Sequence, residues 1–496
     1  MPVQKKSFDR TSQMAFNNLD EYIRFLKKKD ELRIIDTEVD PELEITEIVD
    51  RVVKSGGPAL LFTNVKGSRI PLAINLFGTK QRMALSLGAE NLDEIGRRLS
   101  EMLDIKVPES ILGKLAMMPK LMELGKFPPK VVGKAPCQDV IIGDREVDLH
   151  KLPITKSWPQ DGGFYILFGQ VVTKDPETGV RNMGLYRLQV LDRNTTAMHW
   201  QRHKGGAAHF RKAKEKGMKR LEVAVVVGSD PATMYSTSAP LPESIEEYLF
   251  SGFLRKEPVE LVKCKTVDLE VPAESEIVLE GYVDTEEELR LEGPFGDHTG
   301  FYSLADYYPA FHVTAMTTRR EPIFVSTIVG QPIMEDDWMG YATERIFLPL
   351  AKLVIPEIVD YHMPFEGIFH NLVFVSIDKQ YPGHAFKVMN GLWGMGQMML
   401  AKVIVVVDKD VDVQNTSEAW WYALNNIDPQ RDVIFTKGPA DVLDHSARHF
   451  SFGSKMGIDG TRKWPDEGFT RPWPDKIVMS NEIKKLVDSK WKSYGI

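Results

Sequence analysis

Ile166-Leu167-Phe168-Gly169-Gln170-Val171-Val172-Thr173, then Asn182-Met183-Gly184-Leu185-Tyr186-Arg187-Leu188-Gln189-Val190-Leu191, then Thr196-Ala197-Met198-His199-Trp200 are three strand-length runs. They are parted by the turn-forming stretches Asp175-Pro176-Glu177-Thr178-Gly179 and Asp192-Arg193-Asn194. Short strands joined by such turns pair antiparallel with their neighbours. Val140-Ile141-Ile142 before them and Leu221 to Val227 and Glu276 to Tyr282 after them extend the set. An antiparallel barrel or a sandwich is the expected core of the chain.

On either side the pattern changes. Asn18 with Glu21 reads as a capping box ahead of Leu19, Tyr22, Ile23 and Leu26 at helical spacing. Asp40 with Pro41 reads as the start of a second helix that Gly56-Gly57 stops, and Ala59 to Phe62 and Pro71 to Phe77 read as buried strands. Prolines at 108, 119, 128, 129 and 136 mark a linker. After residue 330 a helix spans Asp336 to Leu353, with a kink expected at Pro349. Strand and helix patterns then alternate: Asn371 to Ile377, His384 to Leu400, Lys402 to Val407, Thr416 to Ile427, Asp432 to Thr436. Such alternation implies a parallel sheet with right-handed crossovers. From Asn481, Ile483, Leu486, Val487 and Trp491 form an amphipathic tail helix expected to dock on another domain or another subunit. The expected fold is thus a mixture of α/β units around a central β domain. Its segments are 1–130, 131–330, a connecting helix 331–353, 354–470 and a tail 471–496.

The 496 residues are enough for about three domains, and 43% hydrophobic with 27% charged residues is a globular composition. A net charge of -8 without a basic stripe argues against nucleic acid as a partner. The longest apolar runs, such as Val403 to Val407, are strand-sized, and no secretory signal is legible at Met1-Pro2-Val3-Gln4-Lys5-Lys6. With two cysteines outside any C-x-x-C pair, the expected location is the cytoplasm, with at most peripheral contact with the inner face of the cell membrane.

P-loop, Rossmann, zincin and nucleophile-elbow signatures are missing, so chemistry has to be sought in polar clusters. The first is Arg181 to Arg187 followed by His199-Trp200-Gln201-Arg202-His203-Lys204-Gly205-Gly206, which offers metal ligands and phosphate donors together. A polar barrel face with exposed turns has the same composition. Asn182 and Arg187 are five apart, so a regular strand points them to opposite faces, and a bulge at Gly184 or Arg187 is needed if both line one pocket. The second cluster is Glu292-Gly293-Pro294-Phe295-Gly296-Asp297-His298-Thr299-Gly300. Here two carboxyls beside an arginine can divide roles, one ionised and one held protonated as a general acid, although a surface turn uses the same residues. Glu247 in Ser244-Ile245-Glu246-Glu247 closes a capping box or binds a metal, and Lys387 is either a solvated side chain or a phosphate contact near a helix start.

Together these segments resemble the UbiD family of reversible aromatic and acrylic acid decarboxylases, closest to its 3-polyprenyl-4-hydroxybenzoate decarboxylase branch. Asp40-Pro41-Glu42-Leu43-Glu44-Ile45, Gly57-Pro58-Ala59-Leu60-Leu61-Phe62, Gly228-Ser229-Asp230-Pro231-Ala232-Thr233 and Gly453-Ser454-Lys455-Met456-Gly457-Ile458-Asp459 belong to the resemblance. It implies a prenylated FMN in a flavin-reductase-like split barrel, with manganese, Mn(II), at its phosphate and K+ as an optional companion. By motif, Asn182, His203 and Glu247 would be the metal ligands. Leu185, Tyr186, Arg187, His199, Trp200, Gln201, Lys204 and Gly205 would line the cofactor, with Lys387 at its phosphate. Arg187, Glu292 and Asp297 would be the catalytic set, Asp297 standing where the acrylic-acid branch has glutamate. An electron sink is needed because loss of carbon dioxide leaves a carbanion on the ring. The resemblance further implies a flavin prenyltransferase as cofactor supplier and a homo-oligomer, dimer to hexamer. Naphthoate-type or hydroxybenzoate acids are alternative substrates, and a non-catalytic flavin-binding scaffold is the alternative of another class.

Overall fold

The structure is a computed structural model that describes residues 15–103, 125, 127–201, 204–242 and 245–495. Its centre is a closed antiparallel barrel of six strands. In order around the barrel these are Ile277–Asp284, Arg220–Val227, Tyr165–Lys174, Arg181–Val190, Thr195–Met198 and Ala310–Thr318, and the last pairs back onto the first. Closure decides between the two expected architectures, since a sandwich would leave two open sheets. Val140–Gly143 lies outside the ring, paired with Ala310–Thr318. The interior is filled by Ile166, Val171, Leu188, Met198, Val223, Val225, Leu279 and Val313. The ring bends at a register shift between Glu280 and Gly281. A Cβ on Gly281 would stand 1.9 Å from the His312 carbonyl oxygen, so only glycine lets the strands approach there.

The amino-terminal sheet runs Leu32–Ile35, Ala59–Phe62, Leu72–Ile74 and, from the end of the central segment, Phe324–Val325. The helix Leu19–Lys28 buries the predicted Leu19, Tyr22, Ile23 and Leu26. Its capping box is half formed. Asn18 accepts from the Glu21 amide, while the Glu21 carboxylate takes the amide of Asn17 rather than of Asn18. The second helix starts at Glu44, later than the expected Asp40, because Asp40 turns its carboxylate onto the Glu42 amide and Lys66. Most of the expected linker, 104–124 and 126, lies outside the described residues.

The helix Glu335–Val354 runs from the barrel to the carboxy-terminal sheet and contains Pro349. Arg345 on it pairs with Asp93 at 2.8 Å and with Asp360 at 2.7 Å, joining the amino-terminal helix Leu92–Leu103 to the strand Ile358–His362. The sheet order is Ile358–His362, Leu372–Ile377, Val403–Asp408, Phe452–Asp459, Val433–Pro439. This corrects the sequence expectation. The three parallel strands are Leu372–Ile377, Val403–Asp408 and Phe452–Asp459, whereas Val433–Pro439 turns back antiparallel at the edge, as does Ile358–His362. Position 435 shows why: Phe435 is 75% exposed, which suits an edge strand and not a buried parallel one. The expected His384 to Leu400 helix is also divided. An α-helix His384–Trp393 ends at Gly394, and a 3₁₀ turn Gly396–Leu400 follows.

The tail helix Asn481–Lys490 is capped by Ser480 and buries no residue against the other described residues. Ile483, Leu486, Trp491 and Tyr494 are exposed, as are Ile477, Val478 and Met479 before them. Among the described residues no helix is long and apolar enough to cross a membrane.

Candidate active site

Arg187 lies on the Arg181–Val190 strand and is almost wholly buried. Its Nε donates to Glu292 Oε1 at 2.7 Å and its Nη2 to Glu292 Oε2 at 3.1 Å, a bidentate pair. Nη1 donates to Asp297, and Nη2 also reaches Ser303 Oγ at 3.2 Å. The guanidinium lies over the Phe295 ring at 4.5 Å. His199 Nδ1 lies 3.1 Å from Glu292 Oε2, and its ring is 4.3 Å from that of Tyr308. The second cluster is therefore no surface turn: Glu292 and Asp297 are buried and converge on one arginine.

The turn is held from below. Asp161 accepts the amides of Gly296, Trp158 and Ser157 at 2.8, 2.9 and 3.1 Å. Gln189 Oε1 takes the Gly293 amide at 2.8 Å and the Tyr165 hydroxyl at 3.1 Å. Sequence reasoning missed these supports. Trp158-Pro159-Gln160-Asp161-Gly162 reads as an ordinary turn, and nothing in it points to a partner 135 residues away.

Electrostatics follow from this packing. Burial alone would raise the Glu292 carboxyl, but the hydrogen bond from His199 and the charge of Arg187 outweigh it and pull it down to about 2. Burial likewise opposes ionisation of Asp297, and Arg187 with His298 overcomes it, holding that carboxyl below the usual range. Burial and Arg187 together push His199 down, toward the neutral imidazole. The expected division of roles, one carboxyl ionised and one protonated, is not what this arrangement favours. A single guanidinium serves both acids, so both are held as carboxylates.

A second locale lies along the same strand. Tyr186 Oη accepts the Gly206 amide at 3.2 Å. A Cβ on Gly205 would stand 2.1 Å from Asn182 Oδ1, and one on Gly206 would stand 2.6 Å from Trp200 Nε1, so both glycines are needed for the close packing. Glu247 begins the helix Glu247–Arg255 and accepts the Met183 amide at 2.8 Å. Ser244, the partner in the capping-box reading, lies outside the described residues; the Glu247 side chain bonds across to the strand, and Glu246 is the cap residue. Burial pushes the Glu247 carboxyl up to about 7.

The strand puts Asn182 and Tyr186 on one face and Arg187 on the other, as alternation requires. The register shift falls on the facing strand, between Ile166 and Gly169, and not at Gly184 or Arg187. His199 and Trp200, successive residues, link the two locales. Leu185 packs in the apolar cluster above, Gln201 is half-buried, and Lys204 caps the helix Gly205–Glu215. His203 lies outside the described residues. Lys387 stands on the helix His384–Trp393 with its ammonium paired to Glu357, which also takes His384 Nε2 at 3.0 Å.

A donor set of amide oxygen and carboxylate suits a hard divalent cation. A buried Glu247 with no described cation beside it fits such an ion, and the start of the helix Gly205–Glu215, with the unpartnered Trp200 Nε1 and Asn182 Nδ2 beside it, fits an anionic cofactor group.

A barrel that buries an arginine between two carboxylates, with histidines beside them, is an arrangement suited to proton chemistry. The comparisons with known proteins agree. Family models of the 3-octaprenyl-4-hydroxybenzoate carboxy-lyase match residues 23–99 (amino-terminal domain), 130–332 (Rift-related domain) and 337–460 (carboxy-terminal domain). The chain belongs to the UbiD family and is a carboxy-lyase. It is 54% identical over 484 residues to an uncharacterized protein of Aquifex aeolicus (strain VF5), covering 97% of this chain and 99% of the relative. Among solved structures it is similar to the vanillic acid decarboxylase of Sedimentibacter hydroxybenzoicus in closed form. That match has TM-score 0.85 and 28% identity and covers 97% and 99% of the two chains. The open form of that enzyme gives TM-score 0.77. The UbiD-class enzyme HmfF of Pelotomaculum thermopropionicum, evolved to a dimer and in complex with prFMN, gives TM-score 0.78 at 27% identity over 96% and 100%.

A pH dependence follows. Glu292's folded pKa lies below its ordinary 4.5, so its contribution to stability is complete above 4.5 and lost as pH falls toward about 2. Arg187→Met is expected to destabilise the protein near neutrality by about 3–5 kcal/mol, because it strands two buried carboxyls. It should also flatten the loss of stability between pH 4.5 and 2. Urea unfolding midpoints measured across this range check both effects, and an equal acid slope in the two proteins would exclude Arg187 as the cause.

Proposed function

We propose that the chain is a prenylated-FMN-dependent, non-oxidative and reversible decarboxylase of an aromatic acid. The first candidate substrate is 4-hydroxy-3-polyprenylbenzoate in ubiquinone biosynthesis. The observation that carries the reading is Arg187 clamped by Glu292 and by Asp297 in one buried cluster. A scaffold needs no arginine shared between two buried acids, and sequestering these groups costs stability that a role in the site offsets. The exposed Leu304 beside Ser303 suits a substrate with an apolar tail. A small hydroxybenzoate is the second reading, supported by similarity to the vanillic acid decarboxylase.

In this reading Asn182, His203 and Glu247 hold a divalent cation, manganese, with K+ alongside. Tyr186, Trp200, Gly205 and neighbouring Leu185, His199, Gln201 and Lys204 surround the flavin. When bound, the prenylated flavin supplies the electron sink for the ring carbanion. Arg187 with Ser303 receives the substrate carboxylate, Glu292 and His199 keep the guanidinium oriented, and Asp297 passes a proton to the ring carbon as carbon dioxide leaves. Lys387 would have to leave Glu357 to meet a phosphate. A flavin prenyltransferase supplies the cofactor, and a second copy of the chain covers the apolar tail.

Protein made together with a flavin prenyltransferase, offered benzoates, prenylated hydroxybenzoates, naphthoates and cinnamates, tests the reading. Asp297→Asn should keep the cofactor yet lower exchange of the ring hydrogen with deuterated solvent by about 10²–10⁴-fold. Exchange at the wild-type rate would remove Asp297 from the role. Glu247→Gln should lower manganese content, read by metal analysis of the purified protein, and unchanged content would assign Glu247 to structure alone. Ile483→Ser combined with Leu486→Ser and Trp491→Ser should shrink the assembly measured by light scattering, and an unchanged mass would separate the tail from assembly.

A further inference from the structure

Asp297 has a second partner, on the side away from Arg187. Its Oδ1 accepts the His298 amide at 2.8 Å and faces His298 Nδ1 at 3.1 Å. His298 Nε2 lies 3.2 Å from Nε2 of His370, a residue of the carboxy-terminal domain just before the strand Leu372–Ile377. The His298 ring stacks on Phe369, with centroids 5.0 Å apart and planes at 23°, and meets His370 edge-on at 86°. Ile368 and Phe369 both adopt left-handed backbone, with φ of 51° and 45°. For a β-branched and an aromatic residue in succession this is unfavourable, and strain of this kind gathers where a segment has a task. Here it brings Phe369 and His370 onto His298.

Two ring nitrogens 3.2 Å apart share one proton, with one donating and the other accepting. Nδ1 of His298 faces a carboxylate, so it carries a hydrogen. The shared proton decides which imidazole carries the charge. Asp297 of its own loop, Asp336 and Asp337 at the start of the helix Glu335–Val354, and Asp441 from the connection after Val433–Pro439 face His298, although burial pushes the Asp336 and Asp337 carboxyls up and so weakens their hold. Asp441, Asp444 and the Asn371 side chain face His370, with His298 itself opposing a charge there. Burial works against both cations. For His298 the bond and charge of Asp297 prevail and raise it to about 9. For His370 burial prevails and lowers it to about 4.

We propose that His298 is a positioning residue that holds the proton Asp297 delivers, and that His370 fixes its tautomer from the carboxy-terminal domain. The inference rests on the reading of Asp297 as the proton donor. The proton leaves Nδ1 of His298 for Oδ1 of Asp297, and His298 becomes neutral with its remaining hydrogen on Nε2, still bonded to His370. As the bond from the ring carbon to the carboxylate breaks and carbon dioxide departs, the electron pair left on that carbon takes the proton from Asp297. Solvent returns one proton to Nδ1, the hydroxide left behind being taken up by the released carbon dioxide as bicarbonate or by buffer, and no oxidant or reductant enters. The arrangement reconciles an ionised Asp297 with its role: the acid is stored one hydrogen bond away. It also ties the proton to the approach of two domains, in a chain that matches a closed form at TM-score 0.85 and an open form at 0.77.

The test is a ¹⁵N-histidine NMR titration of the full chain, which needs no substrate. The wild type should show a His298 imidazole with both nitrogens protonated at pH 7.5, titrating near 9. That signal should vanish in His298→Asn and in His298→Gln. In His370→Phe its midpoint should fall by about one unit, a tenfold weaker hold on the proton. A wild type with the His298 imidazole neutral at pH 7.5, or a midpoint unmoved by His370→Phe, overturns the inference. With an accepted substrate, deuterium incorporation should decline above pH 9 in the wild type and lack that limb in His298→Gln. If Asp297→Asn incorporates deuterium at the wild-type rate, the donor reading fails whatever His298 does. If Asp297 is required but His298 is neutral, only the present inference fails.

Discussion

One buried guanidinium, that of Arg187, carries the electrostatics of the site. Two carboxyl groups a few ångströms apart in a dry interior repel each other and would take up protons. Arg187 reverses that outcome, pairing with Glu292 through two nitrogens and with Asp297 through a third. The converse holds too: without the acids, the arginine would be an uncompensated buried charge. The barrel exists around this constraint. Its closed ring fixes the Arg181–Val190 strand, and Asp161, Gln189 and Tyr165 pin the turn that brings Glu292 and Asp297 to it.

The other domains bear on the same point. The helix Glu335–Val354 joins the amino- and carboxy-terminal units through Arg345, and the segment before Leu372–Ile377 reaches back to His298. Asp297 thus lies between an arginine of the barrel and a histidine pair completed by the carboxy-terminal domain. Three stretches of chain far apart in sequence contribute to one proton's surroundings.

How much of this was legible beforehand depends on range. Strand-length runs and helical spacings are local, and they yielded the barrel strands and the buried stripe of Leu19, Tyr22, Ile23 and Leu26. Edge position is not local: Val433–Pro439 has an ordinary strand composition, and only its pairing with Phe452–Asp459 shows that it runs antiparallel. The cluster of Arg187, Glu292 and Asp297 was named from motif resemblance, and its geometry bears out their proximity. Composition could not reveal that both acids are ionised, because charge state is set by Arg187, His199 and His298 acting across the fold. His298 stands in the sequence only as a member of the Glu292 to Gly300 stretch, with no role of its own to read there. Its partner His370 is 72 residues distant, and no spacing rule connects them.

The central claim is that Arg187, shared between them and aided by His199 and His298, keeps both buried acids ionised. Carboxyl ¹³C NMR of Glu292 and Asp297, each assigned by its amide variant and followed from pH 8 down to pH 4, measures this directly. The account predicts two carboxylate signals that do not move over that range. A carboxyl that titrates between pH 5 and 7 would mean that the proton already resides on Glu292 or Asp297, and the shared-guanidinium account would be wrong.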